Sequence, residues 1–447
     1  MKQTTFLLLC ASLLFFSHCQ MEDDFEVGLD QQLLEVIQRA NPEGRKAFIL
    51  PEETDFDAIP QDPLNPITAE KVRLGRFLFH ETGIGVEAVM EGNLRTYSCA
   101  SCHFAGAGFQ AGRFQGIGEG GAGFGVNGER RDRDERTAAE DLDVQPIRSP
   151  AALNTAYQEV MLWNGQFGAT GINEGTEEQW TPNTPKENNF LGFQGIETQA
   201  IAGLGVHRLN MTPELAEELG YTTLFDAAFP NVSGPSRYSL LNAALAIAAY
   251  ERTLLANEAP FQNWLRGNPN GLTDAEKRGA IVFFDKGNCV SCHSSPALNS
   301  MEFHALGMND LFDCPEETFG TSSDNPANLG RGGFTLREED NYKFKVPQLY
   351  NLSQSRFYGH GASLRSIRDV VVYKNMGVPE KSGVPSTQLA AGFQPLGLTE
   401  QEIDDLTAFL TTGLRDGNLR RYEPSTLPSG QCFPNADFLS QRDLDCL

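Results

Sequence analysis

The chain has 447 residues, 40% of them hydrophobic and 21% charged, with a formal net charge of -24. That length suffices for two ordinary domains, each with its own core. An acidic balance of this size argues against a phosphate backbone as partner, so no nucleic acid is expected. It also keeps an exported protein soluble and would suit a basic protein donor.

The first residues read as an export signal. Lys2 precedes an apolar run from Phe6 to Phe16, which is too short to span a bilayer and the right length for a signal core. Residues 1–18 are therefore expected to be removed. Cys19, after Phe16-Ser17-His18, resembles a bacterial lipoprotein acceptor, although His18 stands where such sites prefer a small residue. No later apolar run reaches about 20 residues, so no membrane span is expected and the protein is placed in the periplasm or cell envelope. Residues 19–66 form an N-terminal extension, with a short surface helix over Leu29 to Ala40 and an extended Pro- and Asp-rich connector from Ile49 to Pro66.

A helix is expected from near Thr68 through Leu74, Phe77 and Leu78, where apolar residues recur at helical spacing. It leads to Cys99-x-x-Cys102-His103. A glycine-crowded loop, Ala105 to Gly128, and a mixed charge run, Arg130 to Arg136, follow; the pair reads equally well as a haem-edge cover or a flexible loop. Gly168 to Asn189 reads as an inserted loop, and Leu240 to Leu254 as a strong helix. A turn at Gly267 to Gly271 separates the halves. The second half opens with a capping box, Thr273-x-x-Glu276, on the helix that delivers Cys289-x-x-Cys292-His293. Thr399-x-x-Glu402 caps a late helix ending near Gly413. Strand alternation is scarce, and both halves repeat one plan: helix, CxxCH, long loop, helix. The expected domains are 67–265 and 266–447.

In each CxxCH, two thiols on one turn can reach the two vinyl groups of a haem, while the adjacent histidine comes under the iron. Two copies in an exported chain point to two covalently bound c-type haems, with His103 and His293 as proximal ligands. A CxxC pair supplies only half of a thiolate zinc site, and no βαβ pattern suggests a thioredoxin-like dithiol. Of nine cysteines, Cys10 leaves with the signal; Cys432 and Cys446 can close a short C-terminal loop by a disulfide, leaving Cys314 without a readable partner. Seven histidines leave His80, His207, His304 and His360 beyond the signal and the proximal pair. None lies between His103 and His207, so haem one is the better candidate for an open distal side.

Over about Leu64 to Gly413 the chain resembles the bacterial dihaem cytochrome c peroxidase family, which includes the enzyme that matures tryptophan tryptophylquinone. The resemblance rests on Leu74-Gly75-Arg76-Phe77-Leu78-Phe79, both haem motifs, Leu162-Trp163-Asn164-Gly165, Glu197-Thr198-Gln199-Ala200, Ala246 to Leu254, Phe344 to Asn351 and Phe357-Tyr358-Gly359-His360-Gly361. It implies an all-α fold of two cytochrome c-like haem domains packed together, with an N-terminal extension. It also implies peroxide reduction at an N-terminal, peroxidatic haem and electron entry at a C-terminal, electron-accepting haem, from a small cytochrome c or cupredoxin. Trp163 corresponds to the family tryptophan between the haems and Gln199 to the distal glutamine. Family members also hold calcium between the domains; here Ser149 stands at the asparagine position, with the carbonyls of Gln354 and Arg356. A homodimer belongs to the same expectation.

The departures concern the distal residues. Gly205 to Met211 carries no carboxylate where the family has a distal acid. His207 is expected to move the proton or to ligate haem one at rest, and Arg208 to hold charge on the departing oxygen. At the second haem an ungapped reading puts Lys374 at the sixth-ligand position, flanked by Tyr373 and Met376, with Met308 a further candidate. Methionine would give the high potential of an electron acceptor, and Met376 is preferred. The nearest alternatives to peroxide reduction are a dihaem oxidase acting on another protein and a carrier with both irons saturated.

Overall fold

The computed structural model describes residues 28–447; the signal-peptide reading, Cys10 and Cys19 lie outside the described residues. The first helix, α1 (Leu29–Ala40), covers the span expected for the extension. Next, α2 (Ala69–His80) starts where Thr68 accepts the Lys71 N–H, satisfying one of the first turn's free donors. It leads to the first CxxCH through two short turns.

The glycine-rich segment that follows is packed on itself. Its strands β1 (Gly121–Ala122) and β2 (Asp132–Arg133) pair antiparallel. Inside, the buried Arg131 donates to the carbonyls of Ile117 and Gly118, each at 2.6 Å. The inserted stretch 168–189 is likewise built on buried polar residues. Asn173 donates to the carbonyls of Gly165 and Gly168, and Asn189 accepts the Gly168 N–H.

Helices then dominate: α3 (Gly195–Val206), α4 (Pro213–Glu218), α5 (Thr222–Ala228), α6 (Leu240–Arg252) and α7 (Pro260–Leu265). The second half opens with α8 (Asp274–Phe284), whose Thr273–Glu276 capping box forms in both directions. It delivers the second CxxCH. Two further strands, β3 (Phe303–His304) and β4 (Phe344–Lys345), pair antiparallel with Phe303 opposite Lys345. Between and after them come α9 (Arg331–Thr335), α10 (Ile367–Met376), α11 (Glu400–Ala408) and α12 (Phe438–Asp443). The Thr399–Glu402 box caps α11 as expected. Among the described residues the strands are two residues long, so the fold is all-α, with much of the chain in 3₁₀ turns. No described helix is long and apolar enough to cross a membrane.

The repeated plan has a physical counterpart. In each half the helix before the CxxCH crosses a partner helix at a glycine. A Cβ on Gly75 of α2 would lie 1.9 Å from the Ala246 carbonyl oxygen of α6, and one on Gly279 of α8 would lie 2.0 Å from the Asp405 carbonyl oxygen of α11. Backbone-to-backbone contact this close is open only to glycine.

The chain ends cross over. In α1, Asp30 accepts hydrogen bonds from Trp264 and Lys277, tying the extension to the second CxxCH helix. At the other end, Ser98 donates to the Pro434 carbonyl and Ser101 to the Asn435 side chain, bracing the first CxxCH. Cys432 and Cys446 form the expected disulfide. Cys314 is free, half-buried, and donates to Glu316 at 3.0 Å.

Candidate functional site

At both CxxCH loops the histidine ring is held by a carbonyl a few residues on. His103 Nδ1 is 3.1 Å from the Phe109 oxygen, and His293 Nδ1 is 2.7 Å from the Leu298 oxygen. A carbonyl can only accept, so the proton sits on Nδ1 and Nε2 keeps its lone pair, the tautomer a metal ligand needs. Burial pushes both imidazoles down to about 4, which keeps them in the neutral form that could ligate an iron.

A cavity of about 490 Å³ opens in front of His293, lined by Cys289, Cys292, Phe283, Trp163 and mainly apolar side chains. Arg148 and Lys345 also line it. Both are buried cations with no carboxylate partner among the described residues. Arg148 donates to Gln110 and Ser355, each at 2.8 Å, and its Nε has no partner. Lys345 donates to the Val160 carbonyl and Gln158. Burial lowers Arg148 to about 10 and Lys345 to about 7. Such cations are costly unless an anion joins them. Haem propionates are such anions, so the crevice fits a haem attached at Cys289 and Cys292.

The distal residues expected for haem one come together on α3 and its C-terminal cap. A Cβ on Gly203 would lie 3.2 Å from Gln199 Nε2 and 3.9 Å from His207 Cδ2, so glycine leaves a gap between the two side chains. His207 also acts electrostatically on His103, which puts this face and the proximal histidine in one site. His207 Nδ1 lies 2.9 Å from both carboxylate oxygens of Asp143, a buried residue absent from the sequence expectation. Burial opposes the imidazolium, but the Asp143 charge and hydrogen bond outweigh it and hold His207 above the usual imidazole value. The pair fixes the proton on Nδ1 and frees Nε2.

Two expectations need correcting. Arg208 is not a free cation: its guanidinium pairs with the fully buried Glu119 and donates to the Asp141 carbonyl, so its charge is already neutralised. Met376 ends α10 with 55% of its surface exposed and lies outside the lining of the cavity in front of His293, so the structure does not bring it to that site. Lys374, one half-turn earlier, and Met308 do line it. Burial pushes Lys374 down to about 8. Tyr373 is buried but donates to the Leu306 carbonyl at 2.6 Å.

Trp163 lines the cavity in front of His293. Its indole N–H donates to the Arg148 carbonyl at 2.8 Å, and its ring meets His360 edge-on at 6.3 Å. Arg148 in turn lines the cavity in front of His293 and acts on His103. His360 stacks on Phe344 at 3.6 Å and is held through Nε2 by Asp310, 3.0 Å away. His80 is buried among Phe79, Tyr250 and Phe433, with Nδ1 on the Arg76 carbonyl. Cys292, Glu302 and His304 cluster, but attachment of haem would convert the Cys292 thiol to a thioether and leave no thiolate for a metal.

A helical chain with two such loops, each backed by a helix crossing at glycine, is a two-haem c-type cytochrome fold. The family model for di-haem cytochrome c peroxidase matches residues 69–270. MauG of Methylophilus methylotrophus is 29% identical over 379 residues, covering 83% of this chain and 90% of that protein. The cytochrome-c peroxidase IdrP1 of Denitromonas iodatirespirans is 27% identical over 371 residues, 79% of this chain and 83% of that protein. Among solved structures, a MauG-like protein associated with microbial copper homeostasis superposes with a TM-score of 0.57 at 23% identity, covering 83% of this chain and 95% of that chain. Residues 69–270 thus resemble the di-haem cytochrome c peroxidase family, and the similarity to MauG and IdrP1 extends over about four-fifths of the chain. The resemblance to that family implies two c-type haems.

Proposed function

We propose that the protein reduces hydrogen peroxide to water, with peroxide bound at the haem of His103 and electrons entering at the haem of His293. In this reading residues 67–265 form the peroxidatic domain and 266–447 the electron-accepting one. The observation that carries it is the Gln199–Gly203–His207 face with Asp143 behind it: an amide donor, a gap and an oriented base beside the proximal histidine.

The haems supply the redox chemistry; the chain positions and moves protons around it. His207 Nε2 would accept a proton from peroxide and give it back, with Asp143 stabilising the imidazolium between the two events. Gln199 would donate a hydrogen bond to a peroxide oxygen. Trp163 carries the contact between the haem sites.

The donor is a small cytochrome c or cupredoxin, and the protein resides in the periplasm or cell envelope, with Cys19 as a lipid anchor. The Cys432–Cys446 bridge is consistent with an oxidising compartment. A homodimer belongs to the same reading. Calcium between the halves would rest on the Ser149 hydroxyl and the carbonyls of Gln354 and Arg356.

The test is peroxide consumption by the purified two-haem protein with reduced cytochrome c. Sustained turnover that collapses in His207→Ala supports the reading. Peroxide binding without turnover would favour oxidation of a protein substrate, a reading the MauG similarity supports, and no reaction would leave an electron carrier.

A further inference from the structure

The residue facing His293 across the second cavity decides what that haem can do. Several side chains that line the cavity carry a donor atom, and most are already committed. His360 is stacked on Phe344 and tied to Asp310. Lys381 is spent on the same carboxylate. His304 sits 2.9 Å from Glu302 and 3.6 Å from Cys292 Sγ, committed to both.

Lys374 is different. It lies in the last turn of α10, its side chain reaches the cavity, and its ammonium has no hydrogen bond or ion pair among the described residues. Its Nζ lies 5.9 Å from the centroid of the Phe393 ring. It is close enough to Cys289, Cys292 and His293 to act electrostatically on each. An unpaired ammonium in a mainly apolar crevice is costly. A primary amine beside an iron removes that cost by coordination. Met308, the competing lining residue, is packed against the backbone at Gly359, where a Cβ would lie 3.0 Å from its Sδ.

We propose that Lys374 Nζ is the sixth ligand of the iron held by His293. The assignment rests on the two-haem reading and deepens it. The ammonium releases one proton to solvent and its lone pair forms the iron–nitrogen bond, with no change of oxidation state. An amine lacks the thioether's preference for ferrous iron, so this haem has a lower potential than a methionine-ligated one.

The experiment is near-infrared magnetic circular dichroism and EPR on the resting ferric holoprotein, without peroxide or donor. The wild type should lack the sulfur-to-iron charge-transfer band. Lys374→Met should gain that band and raise the midpoint potential of one haem. Lys374→Ala should turn one low-spin signal high-spin and leave the other haem as it was, whereas Met308→Leu should change nothing. A sulfur band in the wild type that Met308→Leu abolishes, or a Lys374→Ala spectrum identical to wild type, overturns the assignment. Because no turnover is involved, a protein with an amine-type spectrum and no peroxidase activity would overturn the proposed function and keep the ligand.

Discussion

An imidazole held through Nδ1 by a buried carboxylate differs from a free one in two ways that can be measured. Its Nε2 is oriented, and its basicity is raised. Removing His207 should cost the peroxide reaction roughly 100-fold or more in kcat/KM, the usual range for a positioned acid–base group, with both haem spectra retained. The pH dependence has a definite sign. Catalysis needs neutral His207, and Asp143 holds its pKa above the ordinary imidazole value, so the rate should climb through a pH above about 6.5. Asp143→Asn removes the anion, so the rate should fall while the acid limb moves to lower pH; a limb that stays in place in a pH–rate series would remove Asp143 from the mechanism. His207 was legible because no other histidine follows His103 until position 207. Asp143 was not, since it lies 64 residues away in a charge-rich stretch and only folding selects it. The Arg208 expectation failed for the same reason, its partner Glu119 being one acid among many.

Helix crossings place these side chains, and two contacts decide whether they hold. Gly75→Ala and Gly279→Ala would each gain roughly 1 kcal/mol of helix propensity. Each would also drive a methyl group to about 2 Å from a backbone carbonyl of the partner helix. Overpacking of that kind costs about 1–3 kcal/mol or more, and here the obstacle is backbone that cannot rotate away. The clash should win, and each variant should show lower denaturant midpoints and less haem in its own half.

Within α3, Glu197 makes a two-pronged pair with the fully buried Arg252 of α6, at 2.9 and 2.6 Å. Glu197→Ala strands a buried guanidinium, and about 3–5 kcal/mol of stability should be lost in equilibrium unfolding. The helices themselves were readable from apolar spacing and capping boxes. Their crossing partners were not, because α2 and α6 are separated by most of a domain and a glycine in a helix carries no sign of what it touches.

At the scale of the molecule, each end of the chain supports the half it does not belong to in sequence. A boundary in the 260s therefore separates the haem motifs without separating the packing. The extension is fastened to α8 by Asp30. The final segment returns to the first haem loop, where Ser98 and Ser101, flanking Cys99 and next to Cys102, bond to Pro434 and Asn435. Glu81, buried beside that loop, accepts from Tyr221 and from Ser429 of the same returning segment. Spacing made the Cys432–Cys446 bridge readable, but nothing in the sequence shows that it braces the distant N-terminal haem. The bridge closes a loop with a separation of 14 residues, for which chain entropy gives about 3 kcal/mol. The Cys432→Ser/Cys446→Ser double variant should lose roughly that amount, and the loss should fall first on the haem attached at Cys99 and Cys102. Denaturant titration followed separately at the two haem signals distinguishes the possibilities. Early loss of the first haem's signal with the second unchanged is the expected result. If both signals shift together, the two halves unfold as one unit and the bridge stabilises the whole molecule; if neither shifts, the returning segment holds its place by packing and hydrogen bonds alone.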